Sequence, residues 1–116
     1  MTEEQTRWRE SKIMDVGACD LCGSDAIAYL CIHEIARGIH RAKAMTAAYA
    51  QLILCDTCHR YWAHRGGKVA EQLARLRFVR AVDYDLEEFY TLTDRRWPDS
   101  DDVDAAYMKL LTGAKE

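Results

Sequence analysis

The apolar positions along the chain follow two different periods, which predict a mixed α and β protein. Residues 26–32 form a short apolar run typical of a strand, and residues 51–54 form a second β-prone run. We expect these two strands to pair as an antiparallel hairpin. Before the hairpin, residues 3–14 favour a helix, which is expected to end at Gly17. Directly after the hairpin, residues 56–65 favour a second helix.

The C-terminal part of the chain carries the helical period. Residues 68–82, residues 85–92 and a segment that starts near Ser100 are predicted helices. The first of these helices has one apolar stripe, made of Val69, Leu73, Leu76, Val79 and Val82. We therefore expect a single α+β domain over residues 1–116. It consists of an N-terminal helical segment (1–18), a ββα core (19–66) and an extension of two or three helices (67–116).

Four of the five cysteines form two Cys-x-x-Cys pairs that flank the predicted hairpin. Cys19 and Cys22 precede the first strand, and Cys55 and Cys58 follow the second, with 32 residues between the pairs. Each pair can bend round one side of a metal ion, and tetrahedral Zn²⁺ takes four thiolates. Gly23 permits the tight turn that such a pair requires. The spacing predicts one structural zinc site, and two unrelated pairs or two disulfides are the alternative.

The apolar segments and the use of cysteine indicate the cellular compartment. The N-terminus carries no apolar segment of signal-peptide length, and no apolar run approaches the length of a membrane span. Cysteines in a chain without an export signal indicate a reducing compartment, where thiols bind metal and disulfides are rare. We expect a cytoplasmic or virion-associated protein with no membrane partner. The fifth cysteine, Cys31, is expected to be a buried, small apolar residue, and a reactive thiol or a fifth metal ligand is the alternative.

The net charge of −3 is unevenly distributed. Residues 33–80 carry nine basic and three acidic side chains, whereas residues 81–116 carry four basic and ten acidic ones. The middle of the chain is therefore the part suited to a polyanion, and the acidic helical tail is better suited to a protein partner. An ordinary solvated surface is the alternative. The candidate nucleic-acid-binding residues are Arg37, Arg41, Lys43, Arg60 and Arg65.

Taken together, these residues resemble the HNH family of ββα-metal nucleases, which are built on a treble-clef zinc-finger frame. The matching features are the first Cys-x-x-Cys pair, a signature at the strand end (His33-Glu34-Ile35), and the run Leu54-Cys55-Asp56-Thr57-Cys58-His59. The resemblance covers residues 19–65, a little under half of the chain. It implies a treble-clef zinc domain and a metal-dependent endonuclease that hydrolyses phosphodiester bonds of nucleic acid, with DNA favoured, of phage or mobile-element type.

The resemblance also implies a second divalent metal, Mg²⁺, Mn²⁺ or a second Zn²⁺, in a cleft apart from the structural zinc. By position, His33 and His59 are its ligands and Glu34 is the general base, so all three are candidate catalytic residues. In an alternative arrangement His33 is the base and Glu34 is a ligand. His40 or His64 could join the site from the loop or the helix end, although we expect both at the surface.

Two positions depart from the family pattern. Glu34 stands where the family has a histidine base, and an unperturbed carboxylate is the weaker base. Ala50 stands where the family has an asparagine, and it cannot make the side-chain hydrogen bond that orients the catalytic loop. These departures support a second hypothesis, a non-catalytic zinc-binding module of HNH-like fold that binds nucleic acid or a protein partner.

Overall fold

The computed structural model describes residues 1–36, 38–64 and 68–113. The elements in chain order are α1 (Glu3–Val16), β1 (Leu30–Glu34), β2 (Gln51–Cys55), α2 (Asp56–Cys58), α3 (Val69–Val79), α4 (Leu86–Thr93) and α5 (Ser100–Leu111). A π-helical turn, His59–Ala63, continues α2. The chain is α+β, as the sequence predicts, with one antiparallel hairpin and several helices.

The hairpin forms the centre of the molecule. β1 and β2 pair antiparallel, with His33 opposite Leu52. The pairing runs one residue beyond β1, because the Ile35 amide donates to the Ala50 carbonyl at 2.8 Å. Every residue of β2 before Cys55 is buried. The hairpin is therefore covered on both faces, and the end of β1 is held in a fixed position.

The first strand starts later than the predicted span of residues 26–32. Ile27–Tyr29 form an exposed 3₁₀ turn, and the strand begins at Leu30. The reason lies in the partner strand. Leu30 pairs with Cys55, the last residue of β2, and the chain enters a helix at Asp56. The earlier apolar residues therefore have no strand to pair with.

The described part of the connection between the strands contains three 3₁₀ turns, Gly38–His40, Ala42–Ala44 and Ala48–Ala50. It is anchored from two sides. The Gln51 side-chain amide donates to the Ala44 carbonyl at 2.6 Å and to the Met45 carbonyl at 3.0 Å. Arg9 of α1 donates to that same Met45 carbonyl at 2.9 Å. These bonds fix the connection against the N-terminal helix. Arg37, a predicted nucleic-acid contact, lies outside the described residues.

The helix predicted over residues 68–82 ends at Val79, and the last residue of its predicted apolar stripe, Val82, is 94% exposed. The cause is Arg80, which leaves the helical conformation with φ −142° and ψ 63°. Its guanidinium pairs with Asp20 and Asp83. The two other C-terminal helices lie within one residue of their predicted starts.

The core is built from the hairpin and the C-terminal helices. Its largest fully buried apolar residues outside the hairpin are Phe89 of α4, Leu73 and Leu76 of α3 and Val103 of α5. α5 packs on α3. At its rim the Arg77 guanidinium lies 3.9 Å from the ring centroid of Tyr107. No helix within the described ranges is long and apolar enough to cross a membrane.

Candidate metal centres

The four paired cysteines converge where β2 ends. Their sulfur atoms all lie within 4.8 Å of one another, and the sulfurs of Cys22 and Cys55 are 3.7 Å apart. Two thiolates about 2.3 Å from a tetrahedral zinc ion lie about 3.8 Å apart. All five cysteines of the chain are free thiols, so the two pairs are not disulfides. The group therefore fits a structural zinc site.

Local backbone geometry places the four sulfurs. The Gly23 amide donates to the Cys19 carbonyl at 2.9 Å, and Gly23 takes the positive φ of +79° that the sequence predicts. On the other side, Cys55 is the N-cap of α2 and Cys58 lies in its first turn. The unpaired N–H groups of a helix start favour negative charge, which suits thiolate ligands.

The thiols influence one another's protonation. Burial raises the pKa of Cys19, but backbone amides, including those of Cys22, Cys55 and Leu21, donate to its sulfur and lower the pKa to about 7. The pKa of Cys58 is raised, first by burial and then by the neighbouring thiols. Four thiols in this space cannot all ionise without a cation between them, and a zinc ion supplies that charge.

A buried ion pair braces the first cysteine pair. The Asp20 carboxylate accepts the Ile53 amide of β2 at 2.7 Å and pairs with the Arg80 guanidinium at 2.9 Å. The side chain of Asp20 is 3% exposed and that of Arg80 is 11% exposed. This contact ties the zinc-binding turn to both β2 and α3. This ion pair was not predicted from the sequence. The feature that could have indicated it is the position of Asp20 between the two cysteines of the first pair.

Three histidine rings form a second cluster. The ring centroids of His33 and His59 are 5.2 Å apart, those of His33 and His64 are 5.4 Å apart, and those of His59 and His64 are 4.4 Å apart. The Nε2 atoms of His59 and His64 are separated by 3.0 Å. Two nitrogens about 2.1 Å from a metal ion lie about 3.0 to 3.4 Å apart. This spacing fits neighbouring ligands of one divalent ion.

The π-helical turn brings His64 into this cluster. In an α-helix, residues five apart point about 140° away from each other. Here the His64 amide donates to the His59 carbonyl at 3.2 Å, five residues earlier, so the wider turn sets both rings on one side. His64 is exposed, as predicted, yet its ring belongs to the cluster. The prediction of a continuous helix over residues 56–65 missed this turn.

His33 is oriented from behind by Gln72 of α3. The two side chains are buried, and His33 Nε2 lies 2.8 Å from Gln72 Oε1. The Gln72 amide nitrogen donates to the Ala63 carbonyl at 3.3 Å, which directs the amide oxygen toward the imidazole. His33 Nε2 is therefore the donor, and the lone pair lies on Nδ1. Metal-binding histidines commonly have such a partner for their other nitrogen.

Burial lowers the pKa of His59, and the charge of His64 lowers it further. An imidazole with a lowered pKa is neutral at neutral pH, the form that binds metal. The cluster thus combines an oriented buried imidazole, a neutral half-buried imidazole and an exposed imidazole. Three imidazoles suit Zn²⁺ better than Mg²⁺, which prefers oxygen ligands.

Glu34 is placed differently from the histidines. Its carboxylate lies 3.0 Å from the Arg9 guanidinium and 3.9 Å from that of Arg41, and its side chain is 5% exposed. It is not a member of the histidine cluster. Ala50 is fully buried and contributes its backbone carbonyl to the extended hairpin. The role of Glu34 as a base stays a prediction, and the structure shows this carboxylate held by arginine.

The remaining candidate residues are basic. Arg41, Lys43 and Arg60 are exposed, and Arg60 directly follows His59. Arg65 lies outside the described residues. His40, expected at the surface, is half-buried and is not a member of the histidine cluster.

No family model matches the chain, and neither a curated protein nor a solved structure matches it.

Proposed function

We propose that the protein is an HNH-like, metal-dependent endonuclease on a treble-clef frame. The observation that supports this best is the placement of three histidines beside four cysteines within one hairpin-and-helix unit. Cys58 belongs to the first group and the next residue, His59, to the second. Adjacent helical side chains diverge by about 100°, so one short helix serves two metal sites.

A divalent ion at the histidines would supply Lewis-acid stabilisation of the scissile phosphate and would activate water. His33, His59 and His64 would hold that ion and leave its remaining positions to water and substrate. Gln72 keeps His33 in the tautomer with its lone pair on Nδ1. The structural zinc, together with the Asp20–Arg80 pair, would keep the end of β2 and the histidine turn in fixed positions.

The chain also has to hold the nucleic-acid backbone. Arg41 and Lys43 extend from the turns before β2, and Arg60 extends from the turn that carries His59. Exposed basic side chains of this kind bind phosphates without reading sequence. They lie in the part of the chain that carries the excess of positive charge.

A zinc module that binds nucleic acid or a protein partner without cleavage is the second candidate. The observation that favours it is the ion pair between Glu34 and Arg9. The guanidinium of Arg9 engages the carboxylate, and Glu34 is not a member of the histidine cluster. In this arrangement the histidine cluster would lack the base that the family pattern assigns.

Metal analysis combined with plasmid nicking separates these candidates. We expect one tightly bound zinc per chain and nicking in the presence of Mn²⁺ or Zn²⁺. His59→Ala and His64→Ala should each abolish nicking while the tightly bound zinc remains. Thr57→Ala, an exposed change on the same short helix, is the matched control and should nick normally. Absence of cleavage of both the plasmid and single-stranded DNA with every divalent metal, despite a bound zinc, would favour the binding module.

A further inference from the structure

A small cavity of about 200 Å³ lies between the end of the hairpin, α3, α4 and the segment that leads into α5. Ile35, Val69 and Phe89 supply its apolar wall. Its polar and aromatic lining includes His40, Arg95 and Trp97. The cavity therefore combines apolar surface with a polar group and a cation, which is the usual composition of a ligand site.

Two elements place this cavity next to the histidine cluster. Ile35 continues the strand pairing two residues after His33, so the two side chains point to the same side of the hairpin. On α3, Val69 lies one turn before Gln72, the residue that holds His33. A group seated in the cavity is thus adjacent to a group at the histidines.

The outer lining of the cavity is suited to a flat ring attached to an anion. Trp97 is 49% exposed, and the Arg95 guanidinium lies 4.8 Å from the centroid of its ring. Within the described ranges Arg95 has no ion-pair partner, whereas the neighbouring Arg96 pairs with Glu87. Exposed aromatic rings stack on nucleic-acid bases, and a free guanidinium attracts the phosphate.

His40 is half-buried and contributes part of the cavity lining. Its imidazole adds a polar ring beside the apolar wall.

The volume limits the size of the ring. A cavity of about 150 Å³ in another protein accommodates benzene. A cavity of 200 Å³ therefore has room for a single heteroaromatic ring and not for a base pair. A pyrimidine, the smaller class of nucleobase, fits this volume.

A larger cavity, of about 720 Å³, lies between the zinc-binding turn, α3 and α5. It is lined by Lys68, Arg75 and Lys109, and also by Glu71 and Asp102. These charges largely balance, so they select neither an anion nor a cation. None of the three clustered histidines lines it.

We propose that the small cavity binds one unstacked pyrimidine base of a single-stranded nucleic-acid segment, with the adjoining phosphate at the histidine cluster. This inference rests on the proposed function and narrows its substrate to unpaired nucleic acid. Stacking on Trp97 and attraction to Arg95 provide the binding. A fully paired duplex cannot place a base there without unstacking it, which costs binding free energy.

Binding without added divalent metal tests the cavity separately from cleavage. Fluorescence anisotropy would compare labelled oligothymidine, a fully paired duplex and an oligothymidine with several abasic residues at its centre. We expect the wild type to prefer oligothymidine over both other probes. Trp97→Ala should weaken oligothymidine binding about 5-fold to 100-fold, the range seen for loss of one base–aromatic stack. Duplex binding should change less than about 2-fold, because phosphate contacts dominate it.

Matched variants complete the experiment. Arg95→Ala should weaken oligothymidine binding, whereas Arg96→Ala, whose guanidinium is already paired, should not. Tyr29→Ala removes an exposed aromatic ring from a part of the surface that does not line the cavity and should also be neutral. Equal binding of thymidine and abasic probes by the wild type would overturn the proposal without relying on any variant's folding.

The two proposals fail in different ways. A preference for unpaired pyrimidines that depends on Trp97, without cleavage by any metal, would refute the nuclease and retain the cavity. Metal-dependent cleavage that is the same for paired and unpaired substrates, and insensitive to Trp97→Ala, would retain the nuclease and refute the cavity.

Discussion

At the scale of single residues, Gln72 has the most specific role that the structure reveals. It has no charge and no place in the metal-binding motifs, yet it fixes the tautomer and orientation of His33 through one hydrogen bond of 2.8 Å. Its position, one helical turn along α3 from the cavity wall, joins the histidine cluster to the helical extension. Gln72 is therefore a sensitive place to test the histidine cluster.

Gln72→Met should weaken binding of a second metal ion about 10-fold to 100-fold, the usual cost of removing the partner of a ligand histidine. Isothermal titration of Mn²⁺ or Zn²⁺ into protein that already holds its structural zinc would measure this. Gln72→Glu keeps an acceptor oxygen and should retain most of the affinity. If both variants bind the second metal as the wild type does, Gln72 does not orient a ligand.

Cys31 and Cys22 differ in their expected effect on zinc binding. Cys31 has a pKa raised chiefly by burial, and its thiol donates to the Leu54 carbonyl at 3.4 Å. It is therefore protonated at neutral pH and lies outside the metal-binding group. Cys22→Ser should release most of the bound zinc, while Cys31→Ser should leave one zinc per chain. Elemental analysis after extensive dialysis checks both.

At the scale of elements, the turn after α2 determines whether His64 reaches the other histidines. Inserting one alanine between Tyr61 and Trp62 makes the spacing of His59 and His64 six residues and should abolish binding of the second metal. Deleting Tyr61 makes the spacing four, which an ordinary α-helix accommodates on one face, and should preserve the binding. Calorimetry on proteins that already hold the structural zinc would measure binding of the second metal to each variant. Equal binding by the insertion and the deletion variant would show that the spacing of His59 and His64 does not control the site.

The zinc-binding turn, β2 and α3 are joined by the pair of Asp20 and Arg80. Removing one partner of a buried pair leaves the other charge unpaired, at a cost of about 3 to 5 kcal/mol. Arg80→Met should therefore lower the free energy of unfolding by about 3 kcal/mol in urea titrations. Arg96→Met, which breaks the exposed pair with Glu87, should leave the urea midpoint unchanged. If the two variants change the free energy of unfolding equally, the buried Asp20 carboxylate does not need Arg80 as its partner.

α1 is tied to the segment after α3 by Lys12, whose ammonium group lies 2.9 Å from the Asp83 carboxylate. Burial raises the pKa of Asp83, but Lys12 and Arg80 together hold it below its usual range. A carboxylate with a lowered pKa stabilises the fold above its unfolded-state pKa, and that contribution is lost as pH falls through the folded-state value.

Asp83→Asn should therefore lower the free energy of unfolding by about 1 kcal/mol at pH 7. The difference in the free energy of unfolding between the variant and the wild type should become smaller as the pH falls below about 4. Urea titrations of both proteins between pH 7 and pH 3 would show this. If this difference stays constant with pH, the charge of Asp83 does not contribute to the stability of the fold.

At the scale of the whole molecule, the cysteine group joins the turn after α1 to the end of the hairpin. Metal binding there is coupled to folding, because the ligands come from segments far apart in the sequence. Chelation should lower the melting temperature by more than about 10 °C, since each 1 kcal/mol lost corresponds to roughly 4 °C in a domain of this size. Restoring zinc should recover it, and calorimetry would measure both. An unchanged melting temperature would make the zinc unnecessary for the fold.

The sequence alone determined the features that depend on local spacing. Two Cys-x-x-Cys pairs, the two strands between them and the C-terminal helices follow from short-range periodicity, and the structure shows all of them with small changes of boundary. The candidate ligands His33 and His59 are also placed together, because one lies near the end of β1 and the other follows the last cysteine.

Only the tertiary structure decided which partners these residues have. His64 joins the cluster through a π-helical turn whose single extra residue leaves no clear periodic signal. Gln72 reaches His33 across 39 positions of the sequence, and Arg80 reaches Asp20 across 60. Glu34, adjacent to His33 in the sequence, is paired with Arg9 of α1. Local periodicity constrains which face a residue occupies, but packing between distant segments determines what meets it there.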